Sequence, residues 1–200
     1  MSAPIDFYFD FTSPYSYLAS EQIEALAARH GRALRYRPTL LGVVFRISGQ
    51  RPLTDIPLKG DYARRDFARS ARFAGIPFRM PDPFPISTVH AARAFLVLQA
   101  EQEALATRFM HGAFRAYFAQ GRNIADLGTL GQVLGEAGAD TRAVLDAAGR
   151  AEVKDALKAA VEESIARGVF GAPYFIVDGE PFWGADRLPQ MEQWLASGPY

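Results

Sequence analysis

The residues best suited to do chemistry sit together in the run Thr12-Ser13-Pro14-Tyr15-Ser16. Ser13 is a good helix N-cap, and Pro14 suits the first helical position, where its missing N–H costs nothing. The turn therefore sets two hydroxyls, Ser13 and Ser16, at or near the positive end of a helix. A helix N-terminus favours an anion, because its free N–H groups point outward and the peptide dipoles add. A thiolate is such an anion. Taken alone, Ser-Pro at a helix start is ordinary capping. Its weight comes from a distant segment, Gly168-Val169-Phe170-Gly171-Ala172-Pro173, which fits it. Ala172-Pro173 is a candidate cis bond, a geometry confined almost wholly to X-Pro.

Composition narrows the chemistry. The chain has no cysteine, which excludes disulfides, thiolate metal sites and any reaction of a protein thiol. Its three histidines, His30, His90 and His111, have no metal-ligand spacing. Lys+Arg and Asp+Glu are both 22, so nothing points to nucleic acid or an anionic membrane. The N-terminus lacks a basic region followed by an apolar run, and no apolar run approaches the ~18 residues of a membrane span. A soluble cytoplasmic protein is the expectation. At 49% hydrophobic and 12% aromatic residues, the chain can bury a sizeable core.

The elements that must hold the turn can be read in order. Ile5, Phe7, Phe9 and Phe11 alternate with Asp6, Tyr8 and Asp10, the period of a strand. A helix over 15–30 follows, ended by Gly31, and then a strand over 33–37 closed by Pro38. Strands joined through a helix should be parallel. Residues 39–60 read as irregular, with a short helix near Val43. Asp61 is placed to cap a helix over 62–74, and the prolines of 76–85 imply an extended connection. Residues 87–166 read as all-helical, with Ser87, Asp126 and Asp140 as helix starts. Tyr174-Phe175-Ile176-Val177 is a strand, Asp178-Gly179 a two-residue hairpin turn, and Pro181-Phe182-Trp183 the return. Asp186 is placed to cap a last helix over 187–196.

This order predicts an α/β protein of thioredoxin-like fold with a large all-helical insertion. Residues 1–40 and 165–200 form the thioredoxin-like part, and 41–164 form the insertion. More closely, the chain resembles the 2-hydroxychromene-2-carboxylate isomerases and kappa-class glutathione transferases. The resemblance rests on FYFDFTSPYSYLA (Phe7 to Ala19) and GVFGAPYFIVDGEPFWGADRL (Gly168 to Leu188). Weaker blocks lie between: Leu41-Gly42, Lys59, Tyr62, Asp66, Arg69, and AYFAQGRNIAD (Ala116 to Asp126).

The resemblance implies that glutathione is bound as the cofactor, with its sulfur at Ser13 and with Pro14 and Tyr15 beside it. It implies that the backbone of Ala172, before the cis-proline Pro173, holds the cysteinyl part, and that Ala185 and Asp186 meet the γ-glutamyl end. Gln50 stands in Gly49-Gln50-Arg51-Pro52, where many members carry Asn, so it keeps the amide and adds a methylene. Ala185 replaces a frequent Ser, a change that a backbone contact would survive. A homodimer acting on a small aromatic substrate is implied as well. Lys59 and nearby arginines are the candidates for a substrate carboxylate or the glycyl end of glutathione, against surface charge as the plainer role. Trp183 is the candidate for the aromatic body. Phe11, Tyr15, Tyr17, Phe170, Tyr174 and Phe182 could line the same pocket or simply pack the core. Glutathione-dependent isomerisation, a kappa-like transferase and a non-catalytic binding module are the three readings that follow.

Overall fold

The computed structural model describes residues 3–199. A mixed sheet has the order β2-β1-β3-β4. Strand β1 is Ile5–Phe9 and β2 is Leu34–Pro38; they pair in parallel, joined by helix α1, Pro14–Arg29. The hairpin of β3, Tyr174–Val177, and β4, Glu180–Trp183, adds antiparallel to the other side of β1. Asp178 and Gly179 both take positive φ, 53° and 93°, as the two-residue turn requires.

Helices fill the stretch between the two halves of the sheet. They are α2 (Leu41–Ser48), α3 (Lys59–Phe73), α4 (Val89–Glu101) and α5 (Glu103–Phe118). Then come α6 (Leu127–Glu136), α7 (Thr141–Ala148) and α8 (Ala151–Ala166); α9, Leu188–Ser197, ends the order. None of the described helices is long and apolar enough to cross a membrane. Asp126 and Asp140 accept the N–H groups of Thr129 and Ala143, capping α6 and α7 as the sequence indicates.

Several expectations are corrected. Strand β1 stops at Phe9 rather than Phe11, because Asp10 turns its side chain to other segments. Its two faces are both buried, so the polar half of the alternation is not a solvent face. Asp6 is buried beside Arg35, Arg37 and Arg167 at 3.1, 3.4 and 2.8 Å. Helix α3 begins at Lys59, ahead of Asp61, after Leu58 at φ 68°. Gly60 allows that start: a Cβ there would lie 2.6 Å from the Thr54 carbonyl oxygen. Helix α4 is entered through Thr88, not Ser87, and the Thr88 hydroxyl donates to Asp10 instead of capping. Asp186 caps nothing; it lies in a 3-10 turn, Ala185–Arg187, and Pro189 sets the start of α9 behind it.

The core is aromatic and continuous from sheet to helices. Phe7 stacks on Phe175 at 5.0 Å, and Phe9 meets Phe95 and Phe114 edge-on at 5.2 and 5.9 Å. Tyr17 stacks on Phe118 at 5.6 Å. Such pairs contribute about 0.5–1.5 kcal/mol each beyond their burial. They clamp α1, and hence the turn at its start, between the sheet and α5.

A polar seam closes the outer edge of that clamp. Arg115 donates from Nε and Nη2 to the Glu21 carboxylate at 2.8 and 2.6 Å. His111 Nε2 is 2.8 Å from Glu24, which also accepts the Tyr36 hydroxyl at 2.6 Å. Burial works to raise the Glu21 carboxyl, but hydrogen bonds from His111 and Arg115 outweigh it and hold it at about 2. Burial works against a charged His111, yet Glu21 and Glu24 hold its pKa above the ordinary histidine value. The signs then differ. Glu21 contributes stability above its unfolded value that is lost as pH falls towards about 2. His111 contributes stability below about pH 6.5, lost as pH rises through its raised folded value. His111→Gln should therefore lower Tm at about pH 5.5, by roughly 2–4 °C per kcal/mol lost, and the gap should shrink on the alkaline side. Thermal melts across that range check this; a gap independent of pH would refute it.

Candidate active site

The turn between β1 and α1 is built on Asp10. Its Oδ1 accepts the Thr12 N–H at 3.0 Å and the Thr88 hydroxyl at 2.6 Å, and its Oδ2 accepts the Leu41 N–H at 2.7 Å. One carboxylate thereby joins the end of β1, the first residue of α2 and the entry to α4. Burial pushes the Asp10 carboxyl up, against the pull of those three hydrogen bonds. The Asp10 carbonyl accepts the Ser13 N–H at 2.9 Å, which sets Ser13 at the head of α1.

Ser13 is buried, with extended backbone, and Pro14 follows at the first helical position. Its Oγ accepts the Ser16 N–H at 3.1 Å and donates to the Ala172 carbonyl at 2.9 Å. The Ala172-Pro173 bond is cis. The Pro173 carbonyl accepts the Gly184 N–H at 3.0 Å, which brings the 3-10 turn of Ala185 and Asp186 alongside. Behind Ala172, the Trp183 indole lies so close on Gly171 that a Cβ there would run into its nitrogen.

These parts border one cleft of about 1540 Å³. Ser13, Pro14, Tyr15, Gln50, Ala172, Pro173, Trp183, Ala185 and Asp186 all line it. Lys59 does not: it stands exposed at the start of α3, one turn before Tyr62. Of the aromatic residues singled out in the sequence, Tyr15 and Trp183 border the cleft. Phe11, Tyr17, Tyr174 and Phe182 are buried in packing, and Phe170 packs edge-on against Trp183 at 4.8 Å.

Tyr62, Asp66 and Arg69, marked in the sequence only as matching blocks, also line the cleft, around Tyr15. Tyr15 donates to Asp66 at 2.5 Å, and Asp66 also takes Arg69, whose guanidinium meets the Tyr62 hydroxyl at 3.0 Å. Burial and the Asp66 carboxylate both raise the Tyr15 hydroxyl, which stays protonated at neutral pH. The signal was the spacing Tyr62, Asp66, Arg69 and Phe73, one face of α3. Five arginines line the cleft. Arg29 pairs with Glu192 at 2.7 Å, Arg187 with Asp186 at 3.3 Å, and Arg69 with Asp66. Arg46 and Arg51 are exposed and have no ion pair or hydrogen bond within the described residues. They leave uncompensated positive charge on the α2 side. The described residues include no group of His, Asp or Glu fit to hold a metal ion.

This arrangement can be set beside known proteins. Residues 4–196 match the family model of the DSBA-like thioredoxin domain. A 2-hydroxychromene-2-carboxylate isomerase of Sphingobium xenophagum is 32% identical over 201 residues, covering 98% of this chain and 99% of the relative. The chain belongs to this family. Glutathione s-transferase kappa 2 of Caenorhabditis elegans is 30% identical over 205 residues, covering 96% of this chain and 91% of that one. A solved 2-hydroxychromene-2-carboxylate isomerase structure superposes with a TM-score of 0.86 at 29% identity, covering 96% of this chain and 94% of its own. The DsbA-like thioredoxin fold is thus established, with the mixed sheet at its centre.

Asp10 gives a direct test of how the cleft is held. In Asp10→Asn, one carboxylate oxygen becomes an amide that can only donate. It then faces the N–H of Leu41 or the donors from Thr12 and Thr88. The variant should lose about 1–3 kcal/mol of stability. In hydrogen exchange, protection should fall at Leu41 before the centre of β1. Unchanged protection at Leu41 would show that α2 is held by packing alone.

Proposed function

We propose that this chain is a glutathione-dependent isomerase of an aromatic conjugated keto acid of the 2-hydroxychromene-2-carboxylate type. The observation that carries the reading is a hydroxyl, Ser13, at the head of α1 in the floor of a cleft, in a chain with no thiol of its own. The thiol must come with a ligand. The cleft is larger than the ~300–1,000 Å³ usual for one ligand, which suits a tripeptide and a second molecule side by side. Full-length similarity to isomerases of that name supports the substrate class.

In this reading the glutathione thiolate sits over Ser13, Pro14 and Tyr15. The cysteinyl part runs beside Ala172 and Pro173, the γ-glutamyl end reaches Ala185 and Asp186, and Gln50 closes the far side. Held there, glutathione would supply a nucleophile for reversible addition to the conjugated double bond, which could rotate as a single bond before elimination returned the thiol and left the isomer. Trp183 offers a face for the aromatic ring. The substrate carboxylate goes to Arg46 and Arg51 rather than to Lys59, because these are the unpaired cations on the cleft wall.

Magnitudes decide what the site must supply. A thiol of pKa about 8.5 is roughly 3% thiolate at pH 7. Lowering that pKa by about two units, roughly 2.7 kcal/mol, raises the thiolate about 25-fold. Lower basicity costs nucleophilicity, and a Brønsted slope of about 0.4–0.5 removes roughly 6–10-fold of the gain. Only a few-fold remains. Positioning of sulfur against the substrate carries most of the acceleration, since oriented reactants gain several kcal/mol.

A second reading, a kappa-class-like transferase or peroxidase, has its own support in the Caenorhabditis elegans relative. The two part on product: an isomer with glutathione returned, or glutathione consumed. A binding module would show neither.

Ser13→Ala should cost roughly 10–150-fold in turnover, the value of a hydrogen bond of about 1.5–3 kcal/mol to a charged acceptor. Ser13→Gly keeps much of the capping and none of the hydroxyl, so its melting point should drop less while turnover falls as far. A Ser13→Gly enzyme with normal turnover and an unshifted thiol pKa would reduce Ser13 to a cap. Replacing Arg46 and Arg51 with Gln should each raise KM for a carboxylate substrate by about 3–10-fold, the effect of a partly screened ion pair. Their kcat and Tm should hardly move. Steady-state kinetics with the acid and its methyl ester decide it, because the ester should be indifferent to both changes.

A further inference from the structure

Three residues of the turn that carry a hydroxyl border the cleft: Thr12, Ser13 and Tyr15. Two of those hydroxyls have a protein acceptor for their single hydrogen, Ser13 in the Ala172 carbonyl at 2.9 Å and Tyr15 in Asp66 at 2.5 Å. Thr12 has none among the described residues. Its oxygen is nevertheless fixed. Thr12 Oγ1 accepts the Ile86 N–H at 3.3 Å, and the Thr12 N–H is tied to the buried Asp10 carboxylate at 3.0 Å. A hydroxyl held through its lone pair keeps its hydrogen for another acceptor, and accepting makes it a slightly better donor. Thr12 is half-buried, and Ile86 borders the cleft as well. Place matters as much as the free hydrogen. One oxygen of Asp10 binds the N–H of Leu41, the first residue of α2, and the other binds that of Thr12. Thr12 therefore links Ser13 to the foot of the α2 side of the cleft, where Arg46 and Arg51 stand.

We propose that Thr12 is a catalytic residue of the isomerisation, its hydroxyl donating to the ketone oxygen of the bound keto acid. This rests on the isomerase reading above and gives a role to a group which that reading leaves idle. In a keto acid of this kind the ketone joins the carboxylate to the double bond. With the carboxylate at Arg46 and Arg51 and the reacting carbon at Ser13, the ketone oxygen comes alongside Thr12. Addition to the double bond moves an electron pair onto that oxygen, and elimination takes it back. A donor fixed before the substrate arrives stabilises such charge without reorganising, which is where groups of this type have their largest effect. The hydrogen stays on Thr12 throughout, so no proton has to be returned at the end of the cycle. Ser13 and Tyr15 could take that role only by giving up acceptors they already hold.

The experiment compares the wild-type protein with Thr12→Val, Thr12→Ala and Thr12→Ser. Thr12→Val keeps the shape and loses the hydroxyl, Thr12→Ala does so without added bulk, and Thr12→Ser restores the donor. The first readout is steady-state isomerisation of the keto acid with glutathione. In Thr12→Val and Thr12→Ala, kcat/KM should fall about 10–150-fold, the value of a hydrogen bond to a charged acceptor. Most of the loss should be in kcat, because the oxygen is charged only during the reaction. Thr12→Ser should stay near the wild type. The second readout needs no glutathione. Benzylidenepyruvate, isotopically labelled at its ketone carbon, is bound to each protein and read by carbon NMR. A ketone carbon moves downfield when its oxygen accepts a hydrogen bond. The wild type and Thr12→Ser should therefore hold it downfield of its position in Thr12→Val and Thr12→Ala. One common resonance in all these proteins, or a Thr12→Ser enzyme as slow as Thr12→Val, would overturn the role of Thr12 and leave the functional reading standing. A wild type with no glutathione-dependent isomerisation of the keto acid would overturn both.

Discussion

One buried carboxylate fixes the geometry on which the rest depends. Asp10 is held by donors from its own turn, from the start of α2 and from the entry to α4. A charge in that position is costly unless every lone pair is used. No apolar side chain could accept from two backbone N–H groups and a hydroxyl at once. The result is that Ser13, the α2 wall of the cleft and the aromatic helices share one reference point. Packing alone tolerates small slips of a helix; a set of hydrogen bonds of 2.6–3.0 Å to one group does not.

The cleft combines two electrostatic regimes. On the α1, α3 and α9 side, each arginine is balanced by a carboxylate that also borders the cleft. On the α2 side no such balance exists. That end of the cleft therefore carries net positive charge among the described residues. Neutral Tyr15, kept protonated by burial and Asp66, adds a wall to the cleft without adding charge beside Ser13.

What was legible in the sequence was local. Asp178-Gly179, Asp126 and Asp140 act on residues within a turn of themselves, so their chemistry is written in adjacent letters. The two segments bordering the cleft were also legible, because each carries its own turn signal. Groups whose partners are distant were not. Asp10 looks like the polar half of an alternating strand, and Thr88 like one more residue before a helix. Only the fold shows that each exists for the other, 78 positions away. Lys59 was attractive as a cation, yet the face of α3 that meets the cleft begins a turn later. Arg46 and Arg51 had no signal beyond their charge, since what sets them apart is that no ion pair or hydrogen bond meets them within the described residues.

The bond between Ser13 and Ala172 spans 159 positions, and the strand that delivers Ala172 is β1's second neighbour. During synthesis the head of α1 is therefore made well before its counterpart. Until β3 emerges, β1 has a ladder on one side only and offers an aromatic, unpaired edge on the other. The same edge that will become the middle of the sheet is, until then, open to a wrong partner. The floor of the cleft and the protection of that edge arrive in a single event, so a chain whose cleft is assembled is also one that has finished covering that strand.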